Sequence, residues 1–407
     1  MEEWKEYIVG DLGRVVTGKT PKTSVAENYG GTIPFLTPSD DLSGKFSPET
    51  IKKITELGLH EVKNCLLPTG SVCVSCIGSD LGKVVIIKKP TVTNQQFNSI
   101  IPNKENDADF IYYLMTIIGK HLNFLSKTST AVPIINKSTF ASYPIRVPSL
   151  ETQKRIASIL SSLDDKIELN RKINANLEAQ AQALFKSWFV DFEPFKDQPF
   201  VESELGMIPE GWRVGTLDEM GEIVGGSTPS KAKPEYYTEH GIAWLTPKDL
   251  SISNNKFTAR GEIDITQEGY DSCSTKLMPQ GSVLFSSRAP IGYITIAKND
   301  ICTNQGFKSI VPKLAGTAFI YHFLKTSTKE IENKATGSTF KEASGALMKS
   351  LQLIIAPQIV LDDFEEVMKP ILREQEIIEG ENSRLASLRD TLLPRLMSGE
   401  LKVNEVI

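Results

Sequence analysis

Two stretches of this chain repeat one another 210 residues apart. Thr93-Asn94-Gln95-Gln96-Phe97-Asn98-Ser99-Ile100-Ile101-Pro102 aligns with Thr303-Asn304-Gln305-Gly306-Phe307-Lys308-Ser309-Ile310-Val311-Pro312, with seven of ten positions identical. Other matches fall in the same order around them. Trp4 pairs with Trp212, Gly18 and Pro21 with Gly226 and Pro229, and Leu36-Thr37-Pro38 with Leu245-Thr246-Pro247. Pro68, Gly70 and Val72 pair with Pro279, Gly281 and Val283, and Phe110 and Tyr112 with Phe319 and Tyr321. Collinear matches over about 140 residues mean duplication, and a period that long is a domain rather than a solenoid repeat.

Within each copy, short apolar and β-branched runs lie between Gly and Pro turns, at 71–76, 83–87, 283–286 and 293–297. Helical stretches are few, around 107–116 and 317–326. Each copy therefore reads as a mainly β domain with some helix. After each copy the pattern changes. From Glu151 to Trp188 there is no Gly or Pro, and apolar residues recur by alternating steps of four and three: Ile156, Leu160, Leu163, Ile167, then Leu177, Ala181, Leu184, Trp188. Asn170 and Asn174 hold the same seam midway. After the second copy, Val360, Phe364, Val367, Ile371, Ile378, Leu385, Leu388 and Leu392 follow the same steps, with Glu374 and Glu381 as polar members. This is a coiled-coil seam on two long helices, each of about 36 residues and about 54 Å. Pro370 is expected to kink the second helix, and Pro394 and Gly399 to end it.

The expected fold class is α+β: two duplicated mainly-β domains separated by two long helices, antiparallel if the copies are related by a two-fold axis. The expected divisions are 1–150, a helix at 151–190, a linker at 191–208, a second domain at 209–357 and a second helix at 358–397. In this frame the helices act as a ruler between the domains.

Charge and composition narrow the partners. The chain carries 45 Lys and Arg against 50 Asp and Glu, net −5. The domains are near neutral, +2 over residues 1–150 and +1 over 206–357, while residues 151–205 and 358–407 carry −3 and −5. Bulk coating of nucleic acid is excluded, and any DNA contact must come from local clusters. Candidate basic residues are Lys231, Lys233, Lys248, Arg260 and Arg288 in the second copy, and Lys19, Lys22, Lys52 and Lys53 in the first. No stretch approaches 18 uncharged apolar residues, so no membrane partner is expected. Met1-Glu2-Glu3-Trp4-Lys5-Glu6 lacks a basic region followed by an apolar run, which points to a cytoplasmic address. Five cysteines are too sparse for a disulfide framework.

The catalytic signals fail on inspection. Gly13 to Thr20 spells a phosphate loop, but Pro21 follows at once where a helix must begin, and the equivalent Gly226-Ser227-Thr228 has no lysine. Cys73 and Cys76 resemble half a zinc site, but their counterparts are Leu284 and Ser287. His60, His121, His240 and His322 stand apart, and there is no G-x-S-x-G, H-E-x-x-H or G-x-G-x-x-G. No catalytic residue and no metal site is expected; the sequence reads as a binder.

Three segments, taken with the duplication, resemble the specificity subunit of a type I DNA restriction–modification system. They are Gln153-Lys154-Arg155-Ile156 continuing into 183–192, Ile208-Pro209-Glu210-Gly211-Trp212, and Leu388-Arg389-Asp390-Thr391-Leu392-Leu393-Pro394 continuing to Leu401. The resemblance covers the whole chain. It implies a non-catalytic subunit with two target recognition domains, each reading one half of a bipartite, asymmetric site in double-stranded DNA. It implies spacer helices that dock two modification (adenine methyltransferase) subunits, with restriction subunits joining the full complex. S-adenosylmethionine, ATP and Mg would lie on those partners and no cofactor on this chain. A stand-alone regulator gripping a bipartite operator is the other reading.

For base or phosphate contacts the choices are Lys248, Ser287, Arg288, Asn304 and Gln305 in the second domain, and Lys19, Thr20, Ser39, Asn94 and Gln95 in the first. Arg pairs bidentately with guanine and Asn or Gln with adenine, while Lys usually takes phosphate. The copies differ at likely tips, Ser39 against Lys248 and Cys76-Ile77-Gly78 against Ser287-Arg288-Ala289. The Thr-Asn-Gln stretches, kept in both copies, fit structural turns equally well.

Overall fold

The computed structural model describes residues 4–78, 81–126, 134–253, 255–288, 290–337 and 341–405. The expected tip residue Ala289 and the terminal Met1-Glu2-Glu3 lie outside them. The chain divides into two units: residues 1–168 with 383–407, and residues 169–382.

In the first unit a four-stranded antiparallel sheet runs in the order Gly13–Thr17, Phe97–Pro102, Val72–Ser75, Val84–Ile86. A second sheet orders Lys52–Ile54, Tyr29–Leu36, Thr91–Thr93 and Leu66–Leu67. The second unit repeats the first sheet as Gly221–Gly225, Lys308–Pro312, Val283–Ser287, Ile291–Ala297, with Phe257–Thr258 added at the edge. The registers repeat too. Val15 faces Ile100, which faces Val72; Ile223 faces Ile310, which faces Val283. Matching residues thus occupy matching rungs, so the duplication holds at the level of backbone pairing.

One helix per unit packs on each sheet, Ala108–Ser126 and Thr317–Lys334, both longer than the sequence pattern suggests. Against them lie the long helices, Leu150–Phe189 and Gln358–Ser398. In the first unit Ile156, Leu160, Leu393, Leu396 and Met397 join Val15, Val72, Ile100 and Phe110 in one core. In the second, Phe185, Phe189, Leu361, Phe364 and Met368 join Val283, Ile310 and Phe319. Rings of Phe189 meet those of Phe319 and Phe364 edge-on, each at 4.8 Å between centroids. Each such buried side chain contributes roughly 1.5–3 kcal/mol, so the long helices are part of the domain cores.

In both units the helical segments run antiparallel. Asp164 accepts from Arg389 at 2.7 Å and Asn404 from Arg155 at 2.6 Å in the first. In the second, Asn170 donates to Glu381 at 2.7 Å, and Gln375 to Glu178 at 3.1 Å.

The heptad assignment needs correction. Ile156, Leu160, Ile167, Phe364 and Ile378 are buried, and Leu163, Leu177, Leu184, Trp188, Ile371, Leu385 and Leu392 are half-buried. Val367 and Leu388 are 43% and 48% exposed. Their neighbours Met368, Leu393, Leu396 and Met397 are buried instead, as are Phe185 and Phe189, while the expected Ala181 is buried as well. Gln375, not Glu374, is the buried polar position. The buried positions spread over a stripe wider than a two-helix seam, because each helix must cover a domain as well as its partner. The second helix continues through Pro370 and Pro394, both on its exposed side, and stops at Ser398 before Gly399, whose φ of +76° only glycine adopts freely. The expected linker at 191–208 is packed: Phe192, Phe195 and Ile208 are buried against Trp212, and Phe200–Ser203 pairs with Gly206–Pro209 as a hairpin.

Candidate nucleic-acid interface

The candidate contacts gather around one turn in each unit. Asn94 takes a hydrogen bond from the Gln96 amide at 3.1 Å and donates to the Gln96 side chain at 2.8 Å. Asn304 takes one from the Gly306 amide at 2.8 Å. Both asparagines are turn-formers, and Asn94 is 9% exposed. Asn94 is thereby committed to its own turn, which removes it as a base contact, while Asn304 is half-buried and lines the cleft of the second unit. The turns instead lift Gln95 and Gln305 into solvent.

A neighbouring strand end completes the arrangement. Lys19 and Ser227 donate backbone bonds to the carbonyls of Thr93 and Thr303, each at 2.9 Å. The preceding Gly18 and Gly226 press against the Asn94 and Asn304 carbonyls, where any Cβ would collide. Close approach brings Thr20 within 2.7 Å of the Gln95 side-chain oxygen, to which it donates. Thr228 donates to Gln305 in the same way. Gly13–Thr17 is a strand and no helix begins at Lys19, so the stretch is a strand end and not a phosphate loop.

A third loop borders the turn. The Asp40 carboxylate takes bonds from the Thr37 amide at 2.7 Å and from the Thr37 hydroxyl at 3.1 Å. Asp249 does the same for Thr246, at 2.7 and 2.8 Å. Each clamp displays the residue before its aspartate, Ser39 or Lys248, at the surface. In the second unit Thr228, Lys231, Lys248, Arg288, Asn304 and Gln305 line one cleft of about 650 Å³. Its charge is mixed. Lys248 pairs with Glu262 at 2.7 Å and Arg288 with Glu342 at 3.6 Å, so a phosphate or base must compete with a carboxylate for each. Ser287 is a correction: it is fully buried and its hydroxyl donates to the Gly306 carbonyl at 3.1 Å. It shapes the turn and cannot reach DNA.

The sequence reading missed a lysine in each unit. Lys45 has a side chain 7% exposed and reaches Asp109 at 2.6 Å and Ser161 at 2.7 Å. Lys256, at 6%, bonds Glu178 and Gln375, each at 2.8 Å, and lies 4.3 Å from the Tyr321 ring centroid. Glu379 takes the backbone amides of Lys256 and Phe257 at 2.8 and 3.1 Å. Each lysine leaves its β domain to end among the long helices. Burial alone raises the Glu178 carboxyl, but Lys256, Lys325 and Gln375 outweigh it and hold it at about 2. The repeated pair Lys45-Phe46 and Lys256-Phe257, 211 residues apart, was the available signal.

Cys73 is fully buried, and burial pushes its thiol up to about 12; Cys76 is buried and raised as well. Burial pulls His322 down to about 3. Among the described residues no group of three or more His, Cys, Asp or Glu is placed to hold a metal, and no helix is long and apolar enough to cross a membrane.

The family model described as the type I restriction modification DNA specificity domain matches residues 1–179 and again 209–378. The specificity subunit of the type I restriction enzyme MjaIX of Methanocaldococcus jannaschii is 30% identical, covering all of this chain and 95% of that protein. The HindI specificity subunit of Haemophilus influenzae is 26% identical over 98% of this chain and 100% of that one. The crystal structure of a type I restriction-modification S subunit from M. genitalium superposes with a TM-score of 0.61 at 17% identity, covering 97% of this chain and 96% of that one, a likeness of fold.

Proposed function

Because the chain belongs to the type I restriction-modification DNA specificity family, a family of DNA-recognition components rather than catalysts, we propose that its two domains read the two halves of a bipartite, asymmetric site in double-stranded DNA. One observation carries the reading: the same turn, clamp and strand end recur in both units, with different residues displayed around them. Thr20 and Gln95 recur as Thr228 and Gln305, while Lys19, Gln96 and Ser39 stand in the first unit where Ser227, Gly306 and Lys248 stand in the second. One frame bearing two sets of tips suits two different sequences. Phosphates would position each domain and base edges would specify.

The chain acts in the cytoplasm on this reading, docked to two modification subunits, with restriction subunits added in the full complex. S-adenosylmethionine, ATP and Mg belong to those partners. Exposed apolar residues on the helices of the second unit, Leu169, Ile173, Val367 and Ile377, support docking, since a partner would cover them. The test is methylation-aware sequencing of DNA from cells expressing the chain with its partner subunits. A methylated motif in two specified halves around an unspecified gap is expected. Methylation without sequence preference, or a single uninterrupted motif, ends the proposal. Tight, specific binding by the purified chain alone would favour the stand-alone regulator.

A further inference from the structure

Resting on that reading, we propose that Gln95 and Gln305 each read an A·T pair, so that both half-sites carry one adenine contact of identical construction while the surrounding residues make the halves differ. Both glutamines are exposed, and both follow an asparagine whose side-chain oxygen closes the turn on the backbone amide two residues on. In each, a threonine hydroxyl donates to the side-chain oxygen. In this arrangement the amide oxygen faces the threonine and the nitrogen faces away from it. Among the described residues the nitrogen has no other partner. What remains for a ligand is two N–H donors beside the second lone pair of the oxygen.

A donor beside an acceptor complements adenine in the major groove, where N7 accepts and the N6 amino group donates. Guanine shows two acceptors there, N7 and O6, so one would face the glutamine oxygen across a repulsive contact. Cytosine offers only a donor, and thymine an acceptor and a methyl group. A pre-set amide loses less freedom on binding than a swinging one, which favours its use for readout. Position by position, the flanks are unlike: Lys19 against Ser227, Gln96 against Gly306, Ser39 against Lys248. The shared element then supplies one common base, and asymmetry comes from the rest.

The experiment compares methylated motifs made by the complete complex carrying wild-type chain, Gln95→Ala, Gln305→Ala or Gln305→Glu. Each alanine variant is expected to relax one A·T position in one half only, by roughly five- to hundredfold in preference, with the other half unchanged. Gln305→Glu, which presents acceptors alone, is expected to shift that position away from adenine toward cytosine. Both side chains are exposed, so each variant should melt at the wild-type temperature. A bipartite wild-type motif that the variants leave unchanged at every position overturns the proposal, as does a uniform loss of methylation at all sites, which assigns the glutamines to the DNA backbone. A wild-type motif without two halves overturns the functional reading beneath it.

Discussion

Lys45 and Lys256 show how single residues attach each β domain to the long helices. A lysine whose side chain is only 6% exposed forfeits its hydration, and only near-complete pairing offsets that. Lys256 has it, with Glu178, Gln375 and the Tyr321 ring around one ammonium. Truncating the lysine leaves the largely buried Glu178 carboxylate with only Lys325 and Gln375 as partners. Lys256→Ala is therefore expected to lower stability by roughly 3–5 kcal/mol, measured by urea unfolding, whereas breaking the exposed Lys369–Glu366 pair costs under about 0.5 kcal/mol. The sign with pH follows from Glu178. Its folded carboxyl lies at about 2, below the ordinary 4.5, so its contribution is present above pH 4.5 and drains away as pH falls toward 2. Urea midpoints of wild type and Glu178→Gln should accordingly converge between those pH values. Equal spacing at pH 6 and pH 3 would show that the carboxylate's charge is not what matters. This attachment was legible only as a repeated Lys-Phe pair, because nothing in a sequence says where a lysine's far end lands. Gln95 and Gln305 were legible as residue types, while the inward commitment of Asn94 and Ser287 was not. Those roles depend on bonds to Gln96 and Gly306 that the turn geometry creates.

At the scale of elements, the two long helices announced themselves by uninterrupted apolar periodicity without Gly or Pro breaks. Which stripe they bury is less visible in the pattern. Val367 satisfies the heptad yet is 43% exposed, and Met368 beside it is fully buried. Met368→Ala is expected to cost roughly 2–5 kcal/mol and Val367→Ala less than about 0.5 kcal/mol in thermal or urea unfolding. A reversed order would restore the strict heptad seam. The cause of the shift is the third surface each helix meets, where Phe185 packs against both Phe319 of the domain helix and Phe364 of the other long helix. Polar positions show the same effect. Gln375 is buried because Lys256 arrives there from the β domain, while Glu374 one step away faces solvent. Strands were legible as apolar runs, but their order required the ladder: Phe97–Pro102 lies between Gly13–Thr17 and Val72–Ser75, neighbours that are far from it in sequence.

At the scale of the whole molecule, the proposed reading makes the two duplicated domains separable in function. Exchanging residues 1–150 for another recognition domain should change one half of the methylated motif and leave the other half intact, as read by methylation-aware sequencing. Changes in both halves would show that the two units do not recognise independently. The duplication, the short strands between Gly and Pro turns in each copy, the two long helices after the copies and the lack of a familiar catalytic motif are all readable from the chain alone. These are properties of order and period, which survive in one dimension. Tertiary structure decided which members of each motif face outward, which helix stripe is buried, and that 191–208 is packed rather than free. It also placed Thr20 beside Gln95, 75 residues apart, and Lys256 beside Glu178, 78 residues apart. Those outcomes follow from competition among surfaces for burial and among polar groups for partners, and the competitors meet only when the chain is folded.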